Sequence, residues 1–391
     1  MAVDPLAWTF LTGSEPSEQW TWLTDLPQAP TGVSQHRRLR RAPRVSLKFN
    51  GLEQGLDRRR LEALLFHRGG EAWQVPIITD QVTLTSPLAG GSETIPVAVG
   101  ARRFGAGHAL LLGDRAAAYE LVQVESVAVD AIALAAPTVA SWPAGTRLVP
   151  ARRGRLAEST TLSRFTADAT PYTVTFALEE ALESPPDPGS ALYRSQPVIE
   201  WRPVWLTDPI WEPMRELTTE DNAVGTPVVF DLPRRAMPQQ TLPLCANGPT
   251  AIAALRGLLA ALAGRWSVAW VPTWAADLRP VAGIAAGGAT LDVEGPVLSL
   301  EALASNRRDL RIELHDGTVH YRRVSAVSTP ALGVDRLTLD APFVEAISAS
   351  DIALISFMAL CQQDTDVNLM RYWDRDVVLC DLSFKAVIHD L

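Results

Sequence analysis

The chain has 391 residues, of which 47% are hydrophobic and 20% charged. That balance excludes a disordered or coiled-coil chain, and the length exceeds what one core usually fills, so two or three domains are expected. A net charge of −9 argues against bulk nucleic-acid binding.

The opening segment, residues 1–17, has no basic stretch ahead of its apolar residues and carries Asp4, so it reads as an arm and not as a signal peptide. Trp22-Leu23-Thr24-Asp25 follows. Arg37, Arg38, Arg40 and Arg41 then form the strongest charge feature. Clustered arginine gains from phosphate contact through counterion release. A polar edge, or a partner-protein contact with the acidic second half, explains the cluster equally well, and DNA passing nearby is the minor option. Asp57 is placed to cap a helix with Leu61, Leu64 and Leu65 on its apolar face and Gly69 or Gly70 at its end. A strand through Trp73 to Pro76 comes next, then Asp80.

Gly100 to Gly107 is glycine-rich but lacks the Lys-Ser/Thr of a phosphate loop, so a surface hairpin is expected. Glu120 to Val129 alternates at period two as a strand, with Leu121, Val122 and Val124 apolar. Ser184 to Ser190 has the composition of a turn or hinge and sits in a linker over 185–200. Beyond it, Pro249 suits a first helical turn, Ile252, Leu255, Leu258, Leu259 and Leu262 make one stripe, and Gly264 is the stop. Leu310 to Leu314 alternates into a hairpin turn at His315-Asp316-Gly317. Asp364, Asp366, Asp374 and Asp376 offer oxygen ligands in principle. Arg371 and Arg375 lie among them, and a solvated charged turn is the expected reading.

The chain repeats itself in order. Trp22 to Asp25 recurs as Trp205-Leu206-Thr207-Asp208, and Leu61 to Leu65 is answered by Leu255 to Leu259. Gly70 to Pro76 matches Trp266 to Pro272, Ala131 to Pro137 matches Arg336 to Pro342, and Arg164 to Phe176 matches Arg371 to Phe384. Two copies of one unit are expected, over 18–184 and 201–391. Each is mainly β, a sandwich or barrel with one flanking helix. Twelve tryptophans are many for this length. Trp73 and Trp270 read as buried anchors at the same place in both copies, and Trp22 and Trp205, from the repeated tetrapeptide, as further structural or interface candidates. Cys245, Cys361 and Cys380 form no close pair and the six histidines are dispersed. No disulfide framework, metal site, cofactor site or catalytic set is expected. No window approaches the length of an apolar membrane span.

The stretches LEALLFHRGGEAWQVPIITD and LRGLLAALAGRWSVAWVPTWAADL each lead from a helix into an aromatic strand, a proline and an aspartate. With the run Trp142 to Pro150 and the last strand Leu382 to Phe384, they resemble the tail-tip proteins of long-tailed bacteriophages, including distal tail proteins. Two full copies depart from the single tube-like domain usual there. The resemblance implies β-barrel units in a ring, side-to-side interfaces and no active site. It further implies synthesis in the host cytoplasm, a place at the virion tail tip, and tube, hub and tape-measure proteins as partners. Tail tubes have six-fold symmetry and tips often three-fold, so a homotrimer, presenting six similar units, is slightly favoured over a hexamer. The rival from another class is a carbohydrate- or receptor-binding module using the tryptophans.

Overall fold

The computed structural model describes residues 6–11, 16–29, 33–158, 160–180, 189–215, 217–231, 233–295 and 307–387. It is mainly β, built from antiparallel ladders, with two α-helices of 14 residues among the described residues. Alternation makes the strands. In Arg44–Gln54, Val45, Leu47 and Phe49 point inward while their neighbours face outward. Helix α1 (Gly55–Arg68) follows that strand directly, and α2 (Pro249–Leu262) follows Met237–Asn247 after one residue. Pro249 opens α2 as expected, and all five apolar stripe residues are buried. The cap of α1 is Gln54, without a side-chain hydrogen bond. Asp57 lies inside the first turn, where it complements the helix dipole and does not cap.

Several strand pairings recur in the two halves. Arg44–Gln54 pairs Ala169–Leu178, as Met237–Asn247 pairs Val377–Ala386. Trp73–Pro76 and Gly107–Leu112 flank Arg147–Leu156, as Val268–Pro272 and Asp309–Leu314 flank Ile352–Gln363. The register agrees too. Ile132 faces Ile95 and Val127, and Leu337 faces Leu291 and Val327. Phe176 and Phe384 lie opposite Leu47 and Gln240, each seven residues before the end of its partner strand.

Each half has a small core of its own. One gathers Ile95, Leu111, Val122 and Ile132, the other Leu291, Leu310, Ile312 and Leu337. The main core runs across both halves, from Trp8, Trp73 and Phe176 to Leu242, Leu255, Leu259 and Phe384. Trp8 meets Trp73 and Phe176 edge-to-face at 5.7 and 5.1 Å, contacts worth about 0.5–1.5 kcal/mol each beyond area burial.

The arm and the linker prove to be fastened. Residues 6–10 run alongside Gln74, with Trp8 and Phe10 fully buried. Residues 184–188 lie outside the described residues, but Leu192–Tyr193 and Gln196–Pro197 form a hairpin, and Val198 pairs with Trp270. Tyr193 Oη donates to Asp309 at 2.8 Å, and Glu200 accepts from Arg311 at 2.6 Å. Residues 189–200 thus pack as part of the second half.

Candidate functional site

The halves meet along one shared strand. Ser17–Thr21 pairs with Arg44–Gln54 on one side and with Val367–Asp374 of the second half on the other, so Glu18 stands opposite both Leu47 and Met370. Its alternation turns Glu18 and Trp20 inward. There Arg103 donates from Nη1 and Nη2 to the two Glu18 oxygens at 2.6 and 2.8 Å, and from Nε to Asp80 at 2.6 Å. Arg256 of α2 completes a quartet, 3.0 Å from Asp80 and 3.5 Å from Glu18, and donates to Tyr372 Oη at 2.8 Å. Trp20 Nε1 donates to Glu18 at 2.7 Å.

Glu18, Asp80 and Arg256 are at most 3% exposed. Burial works against the Glu18 carboxylate, but Arg103 and Arg256, with the Arg103 and Trp20 hydrogen bonds, outweigh it and hold the group at about 2. The same balance lowers Asp80, and its two carboxylate partners raise Arg103 against the opposing effect of burial. Arg103 sits in the glycine-rich stretch expected as a mere surface hairpin. Its side chain instead reaches into the seam between the halves. The two carboxylates and two guanidiniums neutralise one another, which suits a structural joint.

A second joint surrounds Asp366. Its carboxylate accepts from Thr24 N at 2.8 Å, Thr24 Oγ1 at 3.0 Å and Arg265 N at 2.9 Å, and its carbonyl accepts from Trp22 N. Gly264, at φ +68°, lets α2 end against this turn. A Cβ there would stand 2.5 Å from Asp366 Oδ1 and 2.9 Å from Trp22 Cβ. The solvated turn of the sequence reading is therefore corrected at Asp366, which ties the second half to the first. Arg371 pairs with Asp381 and Arg375 with Asp376, while Arg102 also reaches Asp376 at 3.2 Å.

The arginine cluster divides. Arg38 places its guanidinium over Trp22 and Trp266, 5.4 and 5.1 Å from the ring centroids, and donates to the carbonyls of Arg40 and Arg41. Arg40 donates to Thr21 O at 2.9 Å. Arg37 and Arg41 are exposed. Half of the cluster thus fastens its own loop, and Arg38 touches the second half of the same chain.

Both tryptophan pairings need correction. Trp73 and Trp270 are each fully buried on the strand after the helix, but they are not equivalent. Pro76 faces Ala151 and Pro272 faces Met358, which puts Ala269 in the place of Trp73 and Trp270 in the place of Gln74. One residue along a strand reverses the face. Trp73 therefore enters the main core, whereas Trp270 packs with Tyr193, Met358 and Leu360 and donates to Tyr193 O at 2.9 Å. Trp22 is buried after the strand Ser17–Thr21, while Trp205 is 71% exposed before the strand Ile210–Met214. The identical tetrapeptides fall at different points of the topology.

One surface stands open. Ile210–Met214 pairs only with Met237–Asn247 among the described residues, and Leu217–Glu220 forms a two-stranded hairpin with Val228–Asp231. Ile210, Trp211, Met214, Leu217, Val228 and Val229 are all exposed there. At the base of this arm lies an apolar cleft of about 230 Å³, lined by Trp211, Pro213, Pro238, Phe357 and Leu360. Such a surface offers aromatic and aliphatic contact and a strand edge, the ingredients of docking. Among the described residues, no group of three or more His, Cys, Asp or Glu side chains converges to hold a metal ion, and no helix is long and apolar enough to cross a membrane. No protein-family model matches the chain, and no curated protein matches it.

Proposed function

We propose that the chain is a non-enzymatic structural subunit of a phage tail tip or baseplate, built from two copies of one β-rich unit and acting by self-assembly. The observation that carries this reading is the recurrence of one set of elements, pairings and registers in both halves, with an exposed apolar arm on the second. A chain of two like units joined side by side is already a segment of a ring, and three such chains present six units. The resemblance of the helix-to-strand stretches to tail-tip proteins supplies the setting.

The test is electron microscopy of the purified protein, together with antibody labelling of phage particles that carry it. Rings in isolation and label at the tail tip are expected. Label confined to another part of the particle overturns the placement. A second reading, a carbohydrate- or receptor-binding module, is favoured by the exposure of Trp205 alone among the paired tryptophans. Binding on a glycan array that Trp205→Ala abolishes without lowering Tm is the result that supports it.

A further inference from the structure

We infer that Ile210–Met214 of one chain docks on the Thr161–Leu162 edge of a second copy, repeating between chains the junction that joins the halves within one. The inference gives the self-assembly proposed above its contact, and rests on that reading.

The argument comes from register. Ser17–Thr21 lies on Arg44–Gln54 with Thr21 opposite Arg44, the first residue of that strand. Ile210–Met214 lies on Met237–Asn247 with Met214 opposite Met237, again the first residue. The two short strands therefore hold the same place in their halves. The free side of Ser17–Thr21 is covered by Val367–Asp374, whereas that of Ile210–Met214 is bare among the described residues.

The receiving side is likewise present twice. Met370 stands opposite Cys380, the fourth residue of Val377–Ala386. Leu162 stands opposite Tyr172, the fourth residue of Ala169–Leu178. The outer edge of Val367–Asp374 is taken by Ser17–Thr21, and that of Thr161–Leu162 is open among the described residues. On α1, Glu62 is the eighth residue, as Arg256 is of α2, and it pairs with Arg58 at 2.9 Å. Phe66, one turn further on the same face, is 86% exposed.

Among the described residues, each chain thus has one occupied junction and the two unoccupied faces of the same junction. Joined head to tail, these faces give a heterologous contact that closes into a ring when the rotation permits. Carrying over the internal register puts Trp211 opposite Leu162, Ile210 opposite Ser163 and Glu212 opposite Thr161. Trp211, Ile210 and Phe66 supply the apolar surface. Pro213 removes one donor from the open edge, which discourages pairing with arbitrary strands and leaves selection to side chains.

The experiment uses two full-length variants with different tags, Trp211→Cys and Leu162→Cys. Each is oxidised alone and mixed with the other. Residues directly opposed in an antiparallel pair lie within disulfide reach. A disulfide joining the two tags, absent from either variant alone, is expected. In parallel, Trp211→Glu should weaken association about tenfold or more in native mass spectrometry. Wild-type rings with no mixed disulfide, and a Trp211→Glu variant that assembles as well as wild type, overturn this contact and leave self-assembly standing. A wild-type chain that stays monomeric at every concentration overturns both.

Discussion

Replacing Glu18 by Gln keeps the size of the side chain and removes one charge from the buried quartet. Arg103 and Arg256 then share Asp80 alone. A carboxyl held at about 2 instead of its ordinary 4.5 corresponds to about 3 kcal/mol of stability, and breaking a buried ion pair typically costs about 3–5 kcal/mol. The two routes agree, so a loss of about 3 kcal/mol is expected at pH 7. The sign with pH follows from linkage. Because the folded value is depressed, wild type has the full advantage above 4.5 and loses it as pH falls toward 2, with about half gone by pH 3. Gln does not titrate, so the difference between the two proteins isolates Glu18 from the other carboxylates. Urea unfolding followed by tryptophan fluorescence, from pH 7 to pH 3, measures it. A difference that stays constant over that range, or one below about 1 kcal/mol at pH 7, refutes the charge-based account of the seam.

Three further outcomes follow from the packing. Trp73→Ala and Trp270→Ala should each cost about 3–5 kcal/mol in chemical unfolding. Since they empty different clusters, the double variant should add within about 0.5 kcal/mol, and strong coupling between them contradicts the assignment to opposite faces. Arg38→Ala should lower stability by about 1–2 kcal/mol through lost ring and carbonyl contacts, against less than about 0.5 kcal/mol for exposed Arg37→Ala. Equal losses from the two speak against a structural role for Arg38. Burial pushes the Cys380 thiol up to about 12 and raises Cys361 as well, so neither should react with a thiol reagent at pH 8 before unfolding, while half-buried Cys245 reacts first. Rapid native labelling of Cys361 or Cys380 would contradict the packing.

What the sequence reveals and what it hides differ for a physical reason. The α2 stripe, the His315 to Gly317 turn and the Phe176 and Phe384 strands follow from periodicity and turn chemistry, which are local. The pairing of Trp73 with Trp270 fails because both faces of each strand are buried, so alternation does not orient either ring. The match of Gly70 to Pro76 with Trp266 to Pro272 in fact sets Trp73 against Ala269, so pairing the two tryptophans departs from it by one residue. The quartet joins residues far apart in the chain and leaves no spacing to find. Its one local trace is Arg256, a charge between Leu255 and Leu258 on a helix that is otherwise apolar there. A charge in such a position needs a buried partner. The tetrapeptide Trp22 to Asp25 misleads for the opposite reason. Four identical residues fix no place in a sheet: the first copy follows the shared strand Ser17–Thr21, and the second precedes the edge strand Ile210–Met214.

The seam's composition also bears on how like units stay in order. Buried ion pairs recover little more than their own desolvation, so the quartet is better suited to choosing a partner than to holding one tightly. At the equivalent places, the second half offers Trp211 where the first has Glu18, and the first offers Glu62 where the second has Arg256. In the head-to-tail arrangement proposed above, exchanging the two junctions sets Glu18 against Glu62, two carboxylates that keep only the guanidiniums of their own half, Arg103 on Glu18 and Arg58 on Glu62. The same exchange covers Arg256 with an indole and takes away one of its carboxylates. The penalty falls on Arg256, which keeps Asp80 and loses Glu18. On the proposed arrangement, the exchange is therefore disfavoured mainly at the charged junction. If the halves assemble as proposed, the difference between Glu18 and Trp211, and between Arg256 and Glu62, works against a swap of the two seams.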